Sequence, residues 1–411
     1  MKLFNANAHS IPTNLSARRY DLDHLRVVGL GLIFIYHLCV FYGPTNWVIK
    51  STHSGHFVDG LLLSLTNPSP WALILLFFIS GVSLRFATDK APPLKLAKKQ
   101  FLRLGVPLIF GILVICPPQA YYQFLQDGMA LPNFLKFSAT YLLPGHAYPD
   151  EPVKWEHLWY LAYLLAYTLC LLPFIPIIKR FMESHGDDML RHAFDHPFST
   201  LWLIPLPFIL YRFTLDPHFQ TTLRIFHDWA HHFHRFSIFF LGFLLAKNPA
   251  FWSAIARYYT KMIWAAAAMS IILAICVFGH IGANITLNSV PVLQALNILY
   301  EFAIIGGLLG LAQHYLNRPS PALSYFLDAG LPVYILHQTI IVIAGYYLTR
   351  LPIHTFFEVT LLLIATFGGS FGIYHFCIRP FNLLRFLFGL PAKQTSSETR
   401  KMISQPTKHH K

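Results

Sequence analysis

Charge is scarce in this sequence. Of its 411 residues only 12% are Asp, Glu, Lys or Arg, against about 25% in an ordinary soluble domain. A soluble chain of this length would form two or three domains and need charge to coat them, so that class is excluded. Paired cysteines are missing as well. Cys39, Cys116, Cys170, Cys276 and Cys377 are scattered through apolar stretches without a CxxC pair, which excludes a disulfide framework and leaves them as small apolar fillers. The sequence holds no Gly-rich phosphate loop, no GxSxG elbow, no HRD-type kinase motif and no internal repeat. Its first 20 residues are polar, and the apolar run after them is too long and bulky for the core of a cleavable leader.

What the chain does have is apolar length. Hydrophobic residues make up 55%, with 37 Phe among them, and the mean hydropathy is +0.48. Crossing a bilayer as a helix takes about 20 mostly apolar residues. Ten stretches reach or approach that: 25–43, 71–88, 104–122, 157–178, 199–214, 235–247, 262–280, 289–313, 331–347 and 356–378. The expected fold is an all-α integral membrane protein, a bundle of about ten transmembrane helices. Two stretches are weak: Pro205 and Pro207 should kink 199–214, and 235–247 is short unless it extends at its N-terminal end.

The net charge of +13 first suggests a polyanionic partner. Its distribution supports a different reading. With the N-terminus in the cytoplasm, 24 of the 31 lysines and arginines fall on the cytoplasmic side of a ten-span topology and 7 on the other. That is the positive-inside bias; it places both termini in the cytoplasm and sets the basic excess against anionic membrane lipids. No nucleic acid is needed to explain it.

Ionisable groups within a span are costly and mark functional candidates. In the first span Arg26 and His37 lie 11 residues apart, which at 100° per residue puts them on one helix face, about 16 Å apart along the axis. Arg26 then sits at the cytoplasmic mouth and His37 near mid-membrane; the plainer alternative is an interfacial Arg and a hydrogen-bonded core His. Glu301 stands in the middle of the eighth span, where a carboxylate must be protonated, paired or facing water; the mid-membrane histidines are its candidate partners. His337 follows Tyr334 by one turn on the same face of the ninth span. Lys95, Lys98, Lys99 and Arg103 form a basic loop suited to a polyphosphate or, equally, to lipid headgroups. The segment HDWAHHFH carries His227 and His231 at i, i+4 spacing, but no HExxH glutamate and no third ligand. It reads as an interfacial amphipathic helix with aromatic anchors, and no metal is expected.

These residues resemble a known family. "RRYDLDHLRVVGLGLIFIYH" at 18–37 is similar to the first span of membrane acyltransferases of the acyltransferase 3 family, with an Arg, ten residues and a His. "LLFFISGVSL" at 75–84 matches the family's FFxxSG pattern through Phe77, Phe78, Ser80 and Gly81. "EHLWYL" at 156–161, with His157 and Trp159, resembles the branch that includes periplasmic glucan succinyltransferases. "FFLGFLLA" at 239–246 and "LPVYILHQTIIV" at 331–342 fit later segments, the second through Tyr334, His337 and Gln338. The chain departs from the family's Arg-x-x-Arg loop pair, where Gln100 precedes Arg103 and Lys99 is the available substitute. As a point charge, Lys lacks the bidentate fork.

The resemblance implies a membrane O-acyltransferase that moves an acyl group from a cytoplasmic acyl-CoA co-substrate to a hydroxyl of a cell-envelope glycan or glycolipid at the inner (plasma) membrane. No tightly bound cofactor is expected. Arg26, Lys99 and Arg103 would hold the donor, and His37 would serve as general base or transient acyl acceptor. Asp23, Ser80, His157, Trp159, Glu301, Tyr334 and His337 would line or support the pocket. The expected organisation is a cytoplasmic segment 1–24, an acyltransferase 3-like transmembrane domain 25–385 and a polar tail 386–411 without fixed structure. The competing class is a proton-coupled transporter or flippase for a small polar solute, with Glu301, His37 and His337 as relay and the proline-kinked span as a broken helix.

Overall fold

The computed structural model describes residues 18–43, 47–52, 71–143, 155–219, 221–223, 225–278 and 290–393. Among the described residues there is no strand; the chain is a succession of helices. In order they are α1 (Tyr20–Tyr42), α2 (Trp71–Ala87), α3 (Pro93–Gln126), α4 (Phe134–Tyr141), α5 (Glu156–Ala193) and α6 (Pro197–Leu203). Then come α7 (Leu206–Thr214), α8 (Trp229–Leu245), α9 (Pro249–Phe278), α10 (Pro291–Tyr315), α11 (Pro321–Leu348), α12 (Thr355–Ile378) and α13 (Asn382–Leu387). Apolar surroundings leave backbone groups no partner but the helix itself. Proline, whose missing N–H costs nothing in the first turn, opens α3, α6, α9, α10 and α11.

Within the described residues, nine of the ten apolar stretches fall mainly on a single helix each. Seven described helices are both long and apolar enough to cross a bilayer: α1, α3, α5, α9, α10, α11 and α12. Helix α2 is apolar but has 17 residues. Stretch 199–214 is broken as its prolines require, between α6 and α7. Stretch 235–247 does extend at its N-terminal end, back to Trp229. Helix α1 begins at Tyr20, five residues before the expected edge of the domain. Residues 394–411 of the expected tail lie outside the described residues, as do residues 1–17 of the expected cytoplasmic segment.

Two glycines bring α2 and α8 together. A Cβ on Gly81 would stand 1.8 Å from the Phe239 carbonyl oxygen, and one on Gly242 would stand 2.2 Å from that of Phe78. The backbones therefore touch where FFISG of α2 crosses FFLG of α8, as small residues allow between membrane helices. Gly306, Gly307 and Gly310 let α10 lie equally close to Met262, Ile263 and Tyr259 of α9.

Helix α3 is not regular. π turns at Phe101–Gly105 and Gly111–Ile115 flank Pro107, whose absent N–H interrupts the i→i−4 ladder. Against the first of them lies Gly389, with φ +73°, where a Cβ would meet the Arg103 carbonyl oxygen at 2.3 Å. Both its backbone angle and its crowding require glycine. In α11, Pro332 removes the N–H that would bond the Asp328 carbonyl, two residues before Tyr334.

Candidate functional site

The Arg26–His37 face of α1 is turned inward, against α2 and α11. Arg26 donates from Nη2 to Ser83 Oγ at 2.6 Å and from Nη1 to Asp23 Oδ1 at 3.2 Å. Ser83 spends its own proton on the Ile79 carbonyl, 2.7 Å away, so its oxygen meets Arg26 as an acceptor. Asp23 is shared with Arg18 at 2.9 Å. Arg103 comes near enough to Arg26 for the two guanidiniums to repel, and its other electrostatic partners are Tyr160 and Asp328. The Tyr160 hydroxyl lies 3.3 Å from Ser80 Oγ. Arg26 is half-buried and Arg103 exposed, so this end of the bundle presents two arginines to a mouth bordered by Asp23, Asp328 and Tyr160. Lys99 is exposed on α3, and among the described residues no hydrogen bond or ion pair joins it to either arginine.

Three helical turns further along α1, three histidines from three helices meet. His37 Nδ1 and His337 Nε2 are 3.0 Å apart, with ring centroids at 5.0 Å. The His157 ring stands edge-on to that of His337, at 5.1 Å and 86°. His337 Nδ1 lies 2.6 Å from the Tyr334 carbonyl, and His157 Nε2 lies 3.1 Å from that of Ile335. The Tyr334 hydroxyl donates to the His157 carbonyl and ties α11 to the start of α5. His337 is fully buried beneath Phe34, whose ring is 4.3 Å away. His37 is only half-buried and stacks at 6.0 Å on Trp47. Of the three, His37 alone keeps an appreciable accessible face. His157 is buried, and its Nδ1 has no hydrogen-bond partner among the described residues.

Next to Gln338 a buried amide chain locks α3 to α11. Gln338 Nε2 donates to Gln119 Oε1 at 2.9 Å, and Gln119 Nε2 donates to Thr339 Oγ1 at 2.7 Å. These partners hold the backbone that carries His337.

A second polar centre lies where α7, α8 and α10 meet. Glu301 of α10 and His234 of α8 pair at 2.8 Å, both buried, and His234 Nδ1 lies 3.2 Å from the Tyr211 hydroxyl of α7. Asp228 accepts from the Tyr163 hydroxyl at 2.7 Å and from the Thr222 N–H at 3.0 Å, and lies 3.1 Å from His231. Arg235, also buried, stands over the Trp159 ring at 5.7 Å, and His231 lies 6.1 Å from the same ring. Trp159 thus links this centre to the His157 end of α5.

Glu301 therefore finds a histidine partner, but His234 and not His37 or His337. The HDWAHHFH segment is not an interfacial helix: it caps and begins α8, and His231 and His234 turn inward to buried carboxylates. Hydropathy reads such residues as surface because it scores each without its partner. Of the missed residues, Asp228 and Arg235 carried one signal in the sequence, an unusual density of His and aromatic residues just before an apolar run; Tyr211 and Tyr163, on other helices, carried none.

The bundle and its buried ionisable groups define a multi-pass membrane protein. A family model for an acyltransferase domain, that of the acyltransferase 3 family, matches residues 19–375. The chain belongs to this family and is a membrane O-acyltransferase. That span includes the arginine mouth, the three histidines and the Glu301 centre. No curated protein and no solved structure matches the chain.

Proposed function

We propose that the protein takes an acyl group from a CoA thioester at the Arg26 mouth and delivers it to a hydroxyl of a cell-envelope glycan or glycolipid reaching in from the opposite end. The observation that carries this reading is the inward face of α1, on which Arg26, braced by Ser83, and His37 are both only half-buried. CoA is polyanionic, so its phosphates suit Arg26 and Arg103 through charge-assisted, forked hydrogen bonds. Its pantetheine arm can span the about 16 Å along α1 that separates Arg26 from His37, which brings the thioester to the imidazole.

At that point His37 takes the proton of the acceptor hydroxyl while the oxygen attacks the thioester carbonyl. The C–S bond then breaks, and the proton passes from His37 to the departing thiolate. Base assistance of this kind contributes about 10²–10⁴ in rate. On the acceptor side Trp159, flanked by Arg235 and His231, is a platform on which a sugar ring can stack. The basic residues grouped at the Arg26 end orient that end to the cytoplasm of the inner (plasma) membrane.

The test uses purified protein in nanodiscs with acyl-CoA, together with mass spectrometry of envelope glycans from cells with and without it. His37→Ala should fold, bind acyl-CoA and lose about 10²–10⁴ in turnover. Arg26→Ala should weaken acyl-CoA binding, most at low salt. A folded His37→Ala protein with wild-type turnover would refute the base assignment, and acyl-CoA affinity unchanged in Arg26→Ala would refute the donor site.

A further inference from the structure

We propose that His337 is the positioning residue of the reaction: it fixes the proton of His37 on Nδ1 and so leaves Nε2 as the base. The inference rests on the reading of His37 as general base and names the nitrogen that does the work. It starts from a group with a single role. A backbone carbonyl can only accept a hydrogen bond, so His337 Nδ1, 2.6 Å from the Tyr334 carbonyl, carries a proton. A neutral imidazole has one N–H, and a buried cation is costly this deep in the bundle. His337 Nε2 is therefore a bare lone pair. His37 Nδ1, 3.0 Å from it, must be the donor. The lone pair of His37 is left on Nε2, on the far edge of the ring from His337.

The surroundings make this arrangement rigid. Phe34 at 4.3 Å and His157 at 5.1 Å hold the plane of the His337 ring. The His157 tautomer is settled by the same rule: Nε2 faces the Ile335 carbonyl and carries the proton, so the one N–H of neutral His157 is already committed and offers no competing donor to His337 Nε2. His337 itself is fully buried; it acts through His37 and does not touch substrate. When His37 accepts the hydroxyl proton at Nε2, its Nδ1–H still points at His337 Nε2. The bond then becomes charge-assisted and stabilises the imidazolium. The proton on His337 Nδ1 stays in place throughout, so the hydroxyl proton is the only one in transit, from oxygen to His37 Nε2 and on to the thiolate sulfur.

The orienting group of a catalytic histidine is commonly a carboxylate, whose charge also supports the imidazolium. A neutral histidine supplies orientation without placing a permanent anion in a low-dielectric interior, where an uncompensated charge is expensive. Glu301, the mid-span carboxylate for which these histidines were candidate partners, is paired to His234 instead.

The test reads the tautomer directly and then its consequence. Full-length protein labelled with ¹⁵N-histidine is studied by NMR in nanodiscs, and the His37 signal is isolated by difference from His37→Gln. The expected wild-type signal is the Nδ1–H tautomer. In His337→Leu the imidazole acceptor is gone and only the Ile33 backbone bond remains to His37, so a share of the Nε2–H form should appear and kcat should fall about 10²–10⁴-fold, with KM for acyl-CoA changed less than about twofold. In His337→Gln the side-chain oxygen can accept the same bond, and at least about a tenfold share of the lost kcat should return. A wild-type Nε2–H signal at His37 overturns the proposal. So does a Gln variant no better than the Leu variant when both melt like wild type, or a loss carried by KM alone. If His37→Ala were fully active, the base reading would fail while the tautomer result stood, so the two failures are distinguishable.

Discussion

Gly81→Ala is the substitution whose effect follows most directly from the geometry. Inside a helix, alanine is intrinsically better than glycine by about 0.8–1.0 kcal/mol, so propensity alone predicts a gain. At Gly81 the added Cβ would stand 1.8 Å from the Phe239 carbonyl oxygen and 2.9 Å from both the Phe239 carbonyl carbon and the Phe243 nitrogen. All three are backbone atoms of α8, and no rotamer change relieves them. The contact must open to at least 3.0 Å, which separates α2 from α8 along their crossing. Overpacking of this kind costs about 1–3 kcal/mol and sometimes more. The expected net result is destabilisation by about 2 kcal/mol, opposite in sign to propensity. Gly31 is the control, since nothing lies within 4 Å of a Cβ there, and Gly31→Ala should gain up to about 1 kcal/mol. Thermal unfolding in detergent, followed by circular dichroism, measures both. Because α2 also carries Ser80 and Ser83, Gly81→Ala should weaken acyl-CoA binding as well. A Gly81→Ala protein that melts at or above wild type, or shifts in the same direction as Gly31→Ala, would refute the backbone-crossing account.

Three further outcomes follow from the pairs described. Glu301→Ala leaves the buried His234 without its partner and should cost about 1–3 kcal/mol, whereas Glu301→Gln keeps a hydrogen bond and should cost clearly less; equal melting temperatures would contradict the buried pair. Asp89, between α2 and α3, binds Lys179 at 2.8 Å, Arg85 at 3.0 Å and also Lys247. Burial pushes its carboxyl up, but these three cations outweigh burial and hold it well below the usual carboxylate range. Partly exposed pairs contribute about 0.2–1 kcal/mol, so Asp89→Asn should lose about 1 kcal/mol at neutral pH. Because the folded value is the lower one, the wild-type advantage is full above the ordinary carboxylate pKa of about 4 and should disappear as pH falls through the lowered value; a gap that stays constant from neutral to strongly acidic pH would count against it. Ser83→Ala removes a partner of the Arg26 guanidinium and should weaken acyl-CoA binding about tenfold, given about 1.5 kcal/mol for a hydrogen bond to a charged group; calorimetric titration at low salt measures it.

Periodicity was enough to read what lies within one helix. Arg26 and His37 share an inward face because 11 residues nearly complete three turns, and Tyr334 and His337 share theirs because one turn separates them. The break at Pro205 follows from a missing N–H. Contacts between distant helices had no such rule. His37 meets His337 across 300 residues, and Glu301 meets His234 across 67, pairings that depend on how α1, α8, α10 and α11 pack. The FFxxSG motif showed that Gly81 matters but not why; the reason is on α8, at Phe239. His231 and His234 were misread for the same cause, because a polar residue beside an apolar run is assigned to the surface unless its buried partner is known.

The glycine pressed on the Arg103 carbonyl bears on how the protein can be handled. The segment from α13 onward folds back on itself through Arg385 to the Pro391 carbonyl at 2.7 Å and Lys393 N–H to Asn382 at 3.0 Å, and it brings Gly389 up beneath the π turn that carries Arg103. The last described dozen residues are thus a floor under one of the two mouth arginines. A chain shortened to residue 380 would lose that floor and leave the irregular turn of α3 unsupported, even though every apolar span remained. An affinity handle or fluorescent reporter joined after residue 393 would leave it intact.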